Sequence, residues 1–301
     1  MAQLPAVALA AVPGRRRATL ELARELEAKG FAGAYCASFG DAVGLCEALA
    51  FATTTIPFVT AIANLYTRHV ADYAQTAALI HELSGGRFAF GVGVSHAPVN
   101  DRLGVRAGKP LADMRAFVAA LRKNQHVGEL PPIVVAALRQ KMVALAGEIG
   151  DGVVFANAAR SHMRDSLAAL PAAKRSDAKF FVGDMIPICI SDDRGAAMER
   201  NRKTLVMYVS LPNYRNYWTE AGYVEEMAAI AKAIERGERD RIPSLMSDRW
   251  LADVTLFGTA AQVREGVEAW FEAGVSTPIL VPSSAAGNQI KAFEELFAAF
   301  A

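Results

Sequence analysis

The sequence predicts an α/β protein of one class, a (β/α)8 TIM barrel with a helical insertion between its seventh and eighth strands. Three observations predict it. Eight apolar, β-prone runs recur along the chain, and helical patterns alternate with them. Several runs carry almost no polar break, as strands buried on both faces do in a parallel sheet. No Pro/Gly/Ser-rich tract, low-complexity segment or composition step splits the 301 residues, so a single domain over 1–301 is expected.

The strands are expected at Leu4–Val12, Phe31–Ala37, Ile56–Ala63, Arg87–Val94, Pro132–Ala137, Gly152–Ala156, Phe180–Ile190 and Pro278–Val281. Thr19–Lys29 reads as the first helix because Leu22 and Leu26 stand one turn apart on its buried stripe. His69–Leu83 is the third, ended by Ser84-Gly85-Gly86, where glycines let the chain leave helical dihedrals. Thr259-Ala-Ala-Gln262 has the spacing of a capping box and opens a helix to Ala273. The outlier is Asn201–Asp253, polar, mostly helical and too long for one crossover. It is expected to lie over the C-terminal face, where barrel enzymes react.

Composition narrows the function classes. With 52% hydrophobic and 21% charged residues the chain is globular rather than disordered. A net charge of +1 provides no general attraction to nucleic acid or an acidic membrane. No run of about 18 apolar residues occurs, so no membrane span is expected. Cys36, Cys46 and Cys189 form neither a disulfide framework nor a metal spacing. The opening MAQLPAVALAAVPGRRR reverses the charge order of a secretory signal. A cytoplasmic protein follows as the expectation.

Strand ends are where barrel chemistry is sought, and they lack the groups for protein-only reactions. No lysine ends a strand to form a Schiff base. No strand-end carboxylate set is present for metal-assisted proton abstraction, and the histidines have no zincin spacing, so no metal is expected. A cofactor is implied. The fourth strand ends Gly91-Val-Gly93-Val-Ser95-His96-Ala97-Pro98, where paired glycines admit a backbone or a flat ligand. His96 reads as a site residue from its strand-end position, its rival role being an ordinary hydrogen-bonded loop histidine. The fifth strand runs through Ala136-Ala137-Leu138-Arg139-Gln140 straight into a helix, whose free N–H groups suit a phosphate. A solvated loop arginine has the same spacing. Arg15-Arg16-Arg17 follow the first strand, and the segment Leu211–Trp218 concentrates Asn213, Tyr214, Arg215 and Trp218 as a substrate wall or a packing segment.

These residues resemble a known family. The stretch His69–Pro98, with HELSGGRFAFGVGVSHAP at its core, is similar to the signature region of the bacterial-luciferase-like monooxygenase superfamily. Within it the chain most resembles the coenzyme F420-dependent oxidoreductases. TAIANLYTRH (60–69), VVAALRQKMVALAGEIGDG (134–152), SLPNYRNYW (210–218) and SDRWLADVTLFGTAAQVREGVEAWFEAGV (247–275) agree in order, so the likeness covers most of the chain. The resemblance implies a deazaflavin, or FMN, held at the C-terminal face for hydride transfer. It places Ala61 and Ile62 at a bulge behind the ring with a non-proline cis peptide, and Gly93, Ser95 and His96 beside the ring. Ala137, Leu138, Arg139 and Gln140 take its phosphate. His96 is the expected proton-handling residue, Arg15–Arg17 would meet an anionic F420 tail, and a homodimer is expected. One departure counts: Tyr35-Cys-Ala-Ser38-Phe-Gly-Asp41 offers no carboxylate or histidine before Asp41, where alcohol-oxidising relatives place one.

An F420-dependent oxidoreductase acting on a small organic substrate is therefore the leading expectation, and an FMN-dependent monooxygenase is next. A non-catalytic flavin-binding barrel is the rival from another class, and a cofactor-free phosphate-binding isomerase is the weakest reading.

Overall fold

The computed structural model describes residues 3–38, 40–124 and 126–301. Its architecture is the expected (β/α)8 barrel of parallel strands and surrounding helices. Among the described residues no helix is long and apolar enough to cross a membrane. The chain divides into two compact units, Met1–Phe155 with Leu167–Gly183, and Ala156–Ser166 with Asp184–Ala301.

The first unit holds β1 (Ala6–Leu9), α1 (Arg16–Ala28), β2 (Ala34–Ala37), α2 (Ala42–Ala52), β3 (Phe58–Ala61), β4 (Ala63–Asn64), α3 (Val70–Leu83) and β5 (Phe88–Gly93). It continues through α4 (Ala97–Arg102), α5 (Pro110–Arg122), β6 (Ile133–Ala136), α6 (Gln140–Ile149) and β7 (Gly152–Ala156), whose last residue begins the second unit. Two short helices, α7 (Met163–Ala168) and α8 (Ala172–Arg175), precede the next strand. Neighbours pair in parallel in the order β1-β2-β3-β5-β6-β7. The glycine stop after α3 is as expected, with Gly85 and Gly86 at φ 64° and 84°.

The loop into β3 is clamped from two sides. Arg87 sends Nε to Ser84 O at 2.8 Å, Nη1 to Thr53 Oγ1 at 2.8 Å and Nη2 to Thr53 O at 3.0 Å. It also reaches Ile56 O and Ala50 O, and its guanidinium lies 5.2 Å from the Phe58 ring centre. Opposite it, Glu27 accepts from Thr54 N at 2.8 Å and Ile56 N at 2.9 Å, and also from Thr55 N. These backbone donors hold its carboxyl down at about pKa 2 against the opposing effect of burial. Charged side chains here replace the backbone partners that a loop lacks.

The second unit contains most of β8 (Phe181–Ile190), then α9 (Arg194–Val209), α10 (Pro212–Glu220), α11 (Val224–Glu235), α12 (Asp248–Val254), β9 (Leu256–Gly258), α13 (Ala260–Glu272), β10 (Thr277–Ser283) and α14 (Gln289–Ala299). Both β9 and β10 pair with β8. The capping box forms as expected, with Thr259 Oγ1 accepting from Gln262 N and the Gln262 side chain accepting from Thr259 N. The helical tract starts earlier than Asn201, because Asp193 Oδ1 accepts from Ala196 N at 2.9 Å and caps α9. Asn201 is fully buried inside that helix, its amide donating to Thr255 Oγ1 and Leu256 O, both at 3.0 Å. It ties the helix to β9, a strand absent from the sequence expectation.

Candidate active site

The site begins with a register change. Val59 pairs with Ala89 and then Ala63 with Val92, so four steps on β3–β4 oppose three on β5. One extra residue makes a β-bulge over 60–62. Thr60, wholly buried, donates from Oγ1 to Gly91 O at 2.7 Å. The Ala61–Ile62 peptide is cis, as the resemblance implied.

The two glycines of β5 follow from this bulge. A Cβ on Gly91 would stand 1.8 Å from Thr60 O, inside a backbone carbonyl. A Cβ on Gly93 would stand 2.9 Å from Ile62 Cδ1 and 3.1 Å from Ala136 Cβ. Ile62, Gly93 and the end of β6 are thus packed together, with no room for a side chain at position 93.

After β5 the chain turns sharply. Ser95 has φ 57°, a left-handed conformation that ordinary residues adopt mainly where surroundings impose it. His96 O then accepts from Val99 N at 2.9 Å and Asn100 N at 3.0 Å, which opens α4. Asn100, buried, fastens the loop by donating to Val94 O at 3.1 Å and accepting from Asn64 Nδ2 at 2.9 Å. A cleft of about 590 Å3 opens here, lined by Tyr66, Val94, Ser95, Asn100, Arg106 and Pro110 among others. His96 is half-buried, and burial lowers its pKa from the ordinary 6.5. The neutral imidazole is favoured at neutral pH.

Ala137 and Leu138 are buried, Ala137 N donating to Val154 O at 3.0 Å, whereas Arg139 and Gln140 are exposed. Arg139 O accepts from Met142 N and Val143 N, so α6 starts immediately after it and its opening N–H groups face away from the helix body. Arg15, Arg16 and Arg17 are exposed at the start of α1, with no acidic residue in that first turn. The segment after β2 is described apart from Phe39, which lies outside the described residues; Asp41 caps α2 through Gly44 N at 2.9 Å.

In the second unit Asn213 is exposed, Arg215 is half-buried with Nη1 on Val209 O at 2.7 Å, and Tyr214 and Trp218 are buried. The Tyr214 ring lies 5.1 Å from Tyr208 and 5.3 Å from Trp218, which meets Trp250 edge-on at 4.9 Å. Trp218 Nε1 donates to Asn157 O at 3.1 Å. Asn157 directly follows β7, so this aromatic group is anchored at a strand's C-terminal end. Sequence reasoning missed two residues here. Asn157 has φ 55°, and Asp184 is fully buried within β8. A lone carboxylate inside the run FVGDMIPICI was the available signal.

A family model described as luciferase-like monooxygenase matches residues 4–277. The chain belongs to the luciferase-like monooxygenase family. A 5,10-methylenetetrahydromethanopterin reductase of Methanolobus tindarius is 26% identical over 282 residues, covering 84% of this luciferase-like chain and 85% of the reductase. Among solved structures, a coenzyme F420-dependent tetrahydromethanopterin reductase from Methanopyrus kandleri aligns with TM-score 0.76 at 18% identity, over 99% of this chain and 100% of that one. The oxygenating constituent of 3,6-diketocamphane monooxygenase from Pseudomonas putida, in complex with FMN, aligns with TM-score 0.60 at 17% identity, over 98% and 95%. At these identities the structural likenesses establish the barrel. Family membership places the luciferase-like chain among oxidoreductases.

Proposed function

We propose that this protein is a coenzyme F420-dependent oxidoreductase that transfers a hydride to or from a small organic substrate. The observation that carries the reading is the bulge over 60–62, which seats Ile62 directly against Gly93 and Ala136 at the ends of β5 and β6. A planar ring would lie against this bulge, and Ala61, Ile62, Gly93 and Ser95 would hold it. Ala137, Leu138, Arg139 and Gln140 would take its ribityl phosphate at the α6 N-terminus, where N–H groups and the helix dipole favour an anion. When bound, the deazaflavin supplies or accepts the hydride. His96, with its pKa lowered by burial, would exchange a proton with the substrate as a neutral imidazole.

Asn213, Tyr214, Arg215 and Trp218 are proposed to border the substrate, within an insertion that shapes specificity rather than the shared chemistry. The cofactor preference rests on Arg15–Arg17, since the F420 tail continues into lactate and glutamates whereas FMN ends at its phosphate. A cytoplasmic homodimer completes the proposal, checked by sedimentation. Parallel fluorescence titration with F420, FMN and FAD tests the cofactor assignment. Tighter FMN binding at low salt would move the protein to the FMN-dependent monooxygenases, and binding without turnover of any enone, imine or aldehyde would make it a flavin-binding barrel.

A further inference from the structure

The cleft beside Ser95 lies wholly within the first unit, and two knots of hydrogen bonds build its walls. The inner knot joins β4 to the loop after β5, with buried Asn100 accepting from Asn64 Nδ2 at 2.9 Å and donating to Val94 O at 3.1 Å. The outer knot is centred on Asp113 of α5, whose Oδ2 accepts from the Tyr66 hydroxyl at 2.6 Å and from Gly108 N at 2.9 Å. A Cβ on Gly108 would stand 2.7 Å from that oxygen, so a side chain there would push the carboxylate out. Burial, and then the Asp113 carboxylate, push the Tyr66 pKa up, so its phenol stays a donor.

These knots spend four polar side chains on the walls. What they leave facing the cleft is one hydroxyl, one cation and one acid. The Ser95 hydroxyl, the Arg106 guanidinium and the Asp101 carboxylate have no hydrogen-bond or ion-pair partner among the described residues, and Arg106 and Asp101 do not pair with each other. Val94, Val105 and Pro110 give the cleft apolar wall, and its volume of about 590 Å3 lies in the range of small-molecule sites. Walls held by the protein's own bonds need little ordering when a ligand binds. A guanidinium fork matches a planar carboxylate through two parallel N–H···O bonds, and the Ser95 hydroxyl adds a donor to the same cleft. Asp101 repels further negative charge, so the fitting ligand carries a single carboxylate. Ser95 is also among the residues proposed to hold the ring, which sets the cleft beside the place of hydride transfer.

We propose that this cleft is an acid subsite for the substrate, in which Arg106 determines specificity by taking the single carboxylate of an organic acid whose apolar part lies against Val94, Val105 and Pro110. That the acid is the substrate rests on the deazaflavin reading, whereas its binding in the cleft does not.

Calorimetry on the cofactor-free protein, with benzoate and its neutral counterpart benzamide, tests the subsite. Benzoate should bind more tightly than benzamide and lose that advantage as salt rises. Arg106→Ala should weaken benzoate about fivefold, the upper end for an exposed ion pair, and leave benzamide unchanged. Arg106→Lys should restore part of the benzoate affinity, because it keeps the charge without the fork. Asp101→Asn should tighten benzoate about twofold, and Ala97→Leu, which narrows the cleft, should weaken both probes. Equal wild-type affinity for the two probes overturns the subsite, as does benzoate binding indifferent to Arg106→Ala or to Ala97→Leu. Turnover with reduced F420 then uses a panel of α,β-unsaturated and 2-oxo acids against their methyl esters, whose C=C or C=O bond takes up one hydride and one proton. The acids should have the lower KM in wild type and lose that preference in Arg106→Ala. A panel in which no acid is preferred to its ester overturns the substrate assignment. So does an Arg106→Ala variant that weakens F420 and keeps the preference, since the carboxylate met there would belong to the F420 tail. A wild type that separates benzoate from benzamide but binds neither F420 nor FMN would overturn the deazaflavin reading and leave the subsite standing.

Discussion

Replacing Gly91 by alanine puts a methyl group where Thr60 O already stands. The new Cβ would lie 1.8 Å from that oxygen, against a floor of 3.0 Å that real Cβ atoms respect, so more than 1 Å of movement is required. The obstructing atom is backbone, and it belongs to the bulge strand that Thr60 Oγ1 binds to Gly91 O. Neither strand can yield alone. Overpacking costs about 1–3 kcal/mol, and the strained buried hydrogen bond adds about 1 kcal/mol, so about 2–4 kcal/mol of stability should be lost. That is a large share of an ordinary domain's stability but leaves a folded population. Gly93→Ala is the control, since its contacts at 2.9 Å are carbons of the Ile62 side chain, which can rotate away. It should cost about 1 kcal/mol or less while displacing Ile62 from its seat against β5 and weakening F420 binding. Urea titration followed by tryptophan fluorescence measures stability, and F420 fluorescence measures affinity. The reasoning is refuted if Gly91→Ala is as stable as wild type, or if Gly93→Ala is the more destabilised of the two.

Glu27→Gln should cost about 1–2 kcal/mol at pH 7, less than its full shift because the carboxyl is partly solvated. The Glu27 pKa is depressed from 4.5 to about 2, so its contribution is present above pH 4.5 and lost as pH falls toward 2; an equal gap between variant and wild type at both ends disproves this. Asp184 has the opposite sign, with a folded pKa raised above the unfolded 3.8, so Asp184→Asn should gain stability over wild type progressively as pH rises above about 4, read from melting curves. His96→Ala should lower turnover by about a hundredfold with little change in F420 affinity, the usual size of an acid–base effect; unchanged turnover would make His96 structural. Arg139→Ala should weaken both F420 and FMN, whereas replacing Arg15, Arg16 and Arg17 together should weaken only F420 and less so at high salt, because exposed contacts are screened.

Backbone periodicity was legible and side-chain environment was not. Runs such as Ile133–Ala136 and Phe88–Gly93 announce strands because a parallel sheet buries both faces. Thr259 and Gln262 announce a helix start because capping depends on three-residue spacing alone. The pair Gly91 and Gly93 marked a close approach, but the body approaching it, a bulge from β3, is set by a register that no local pattern encodes. Asp184 was visible as a lone acid in an apolar run, yet whether such an acid is paired depends on Ala158, Tyr214 and Tyr217, which come from elsewhere in the chain. Tyr214 and Trp218 stood out by type, while their burial followed from Asn157 and Trp250.

The Arg87 clamp changes what the most recognisable stretch of the chain reports. HELSGGR ends in Arg87, whose five hydrogen bonds go to Ala50, Thr53, Ile56 and Ser84, none of them at the bulge or the cleft. That stretch is a mark of the mould and says nothing of what is cast in it. A chain that kept Arg87 and its partners while placing a side chain at Gly93 would keep this clamp, with Ile62 displaced from the position proposed to back a ring. Arg87 and its partners on one side, and Gly93, Ser95 and His96 proposed for the ligand on the other, are joined only through β5 and the loop after it, and can change independently.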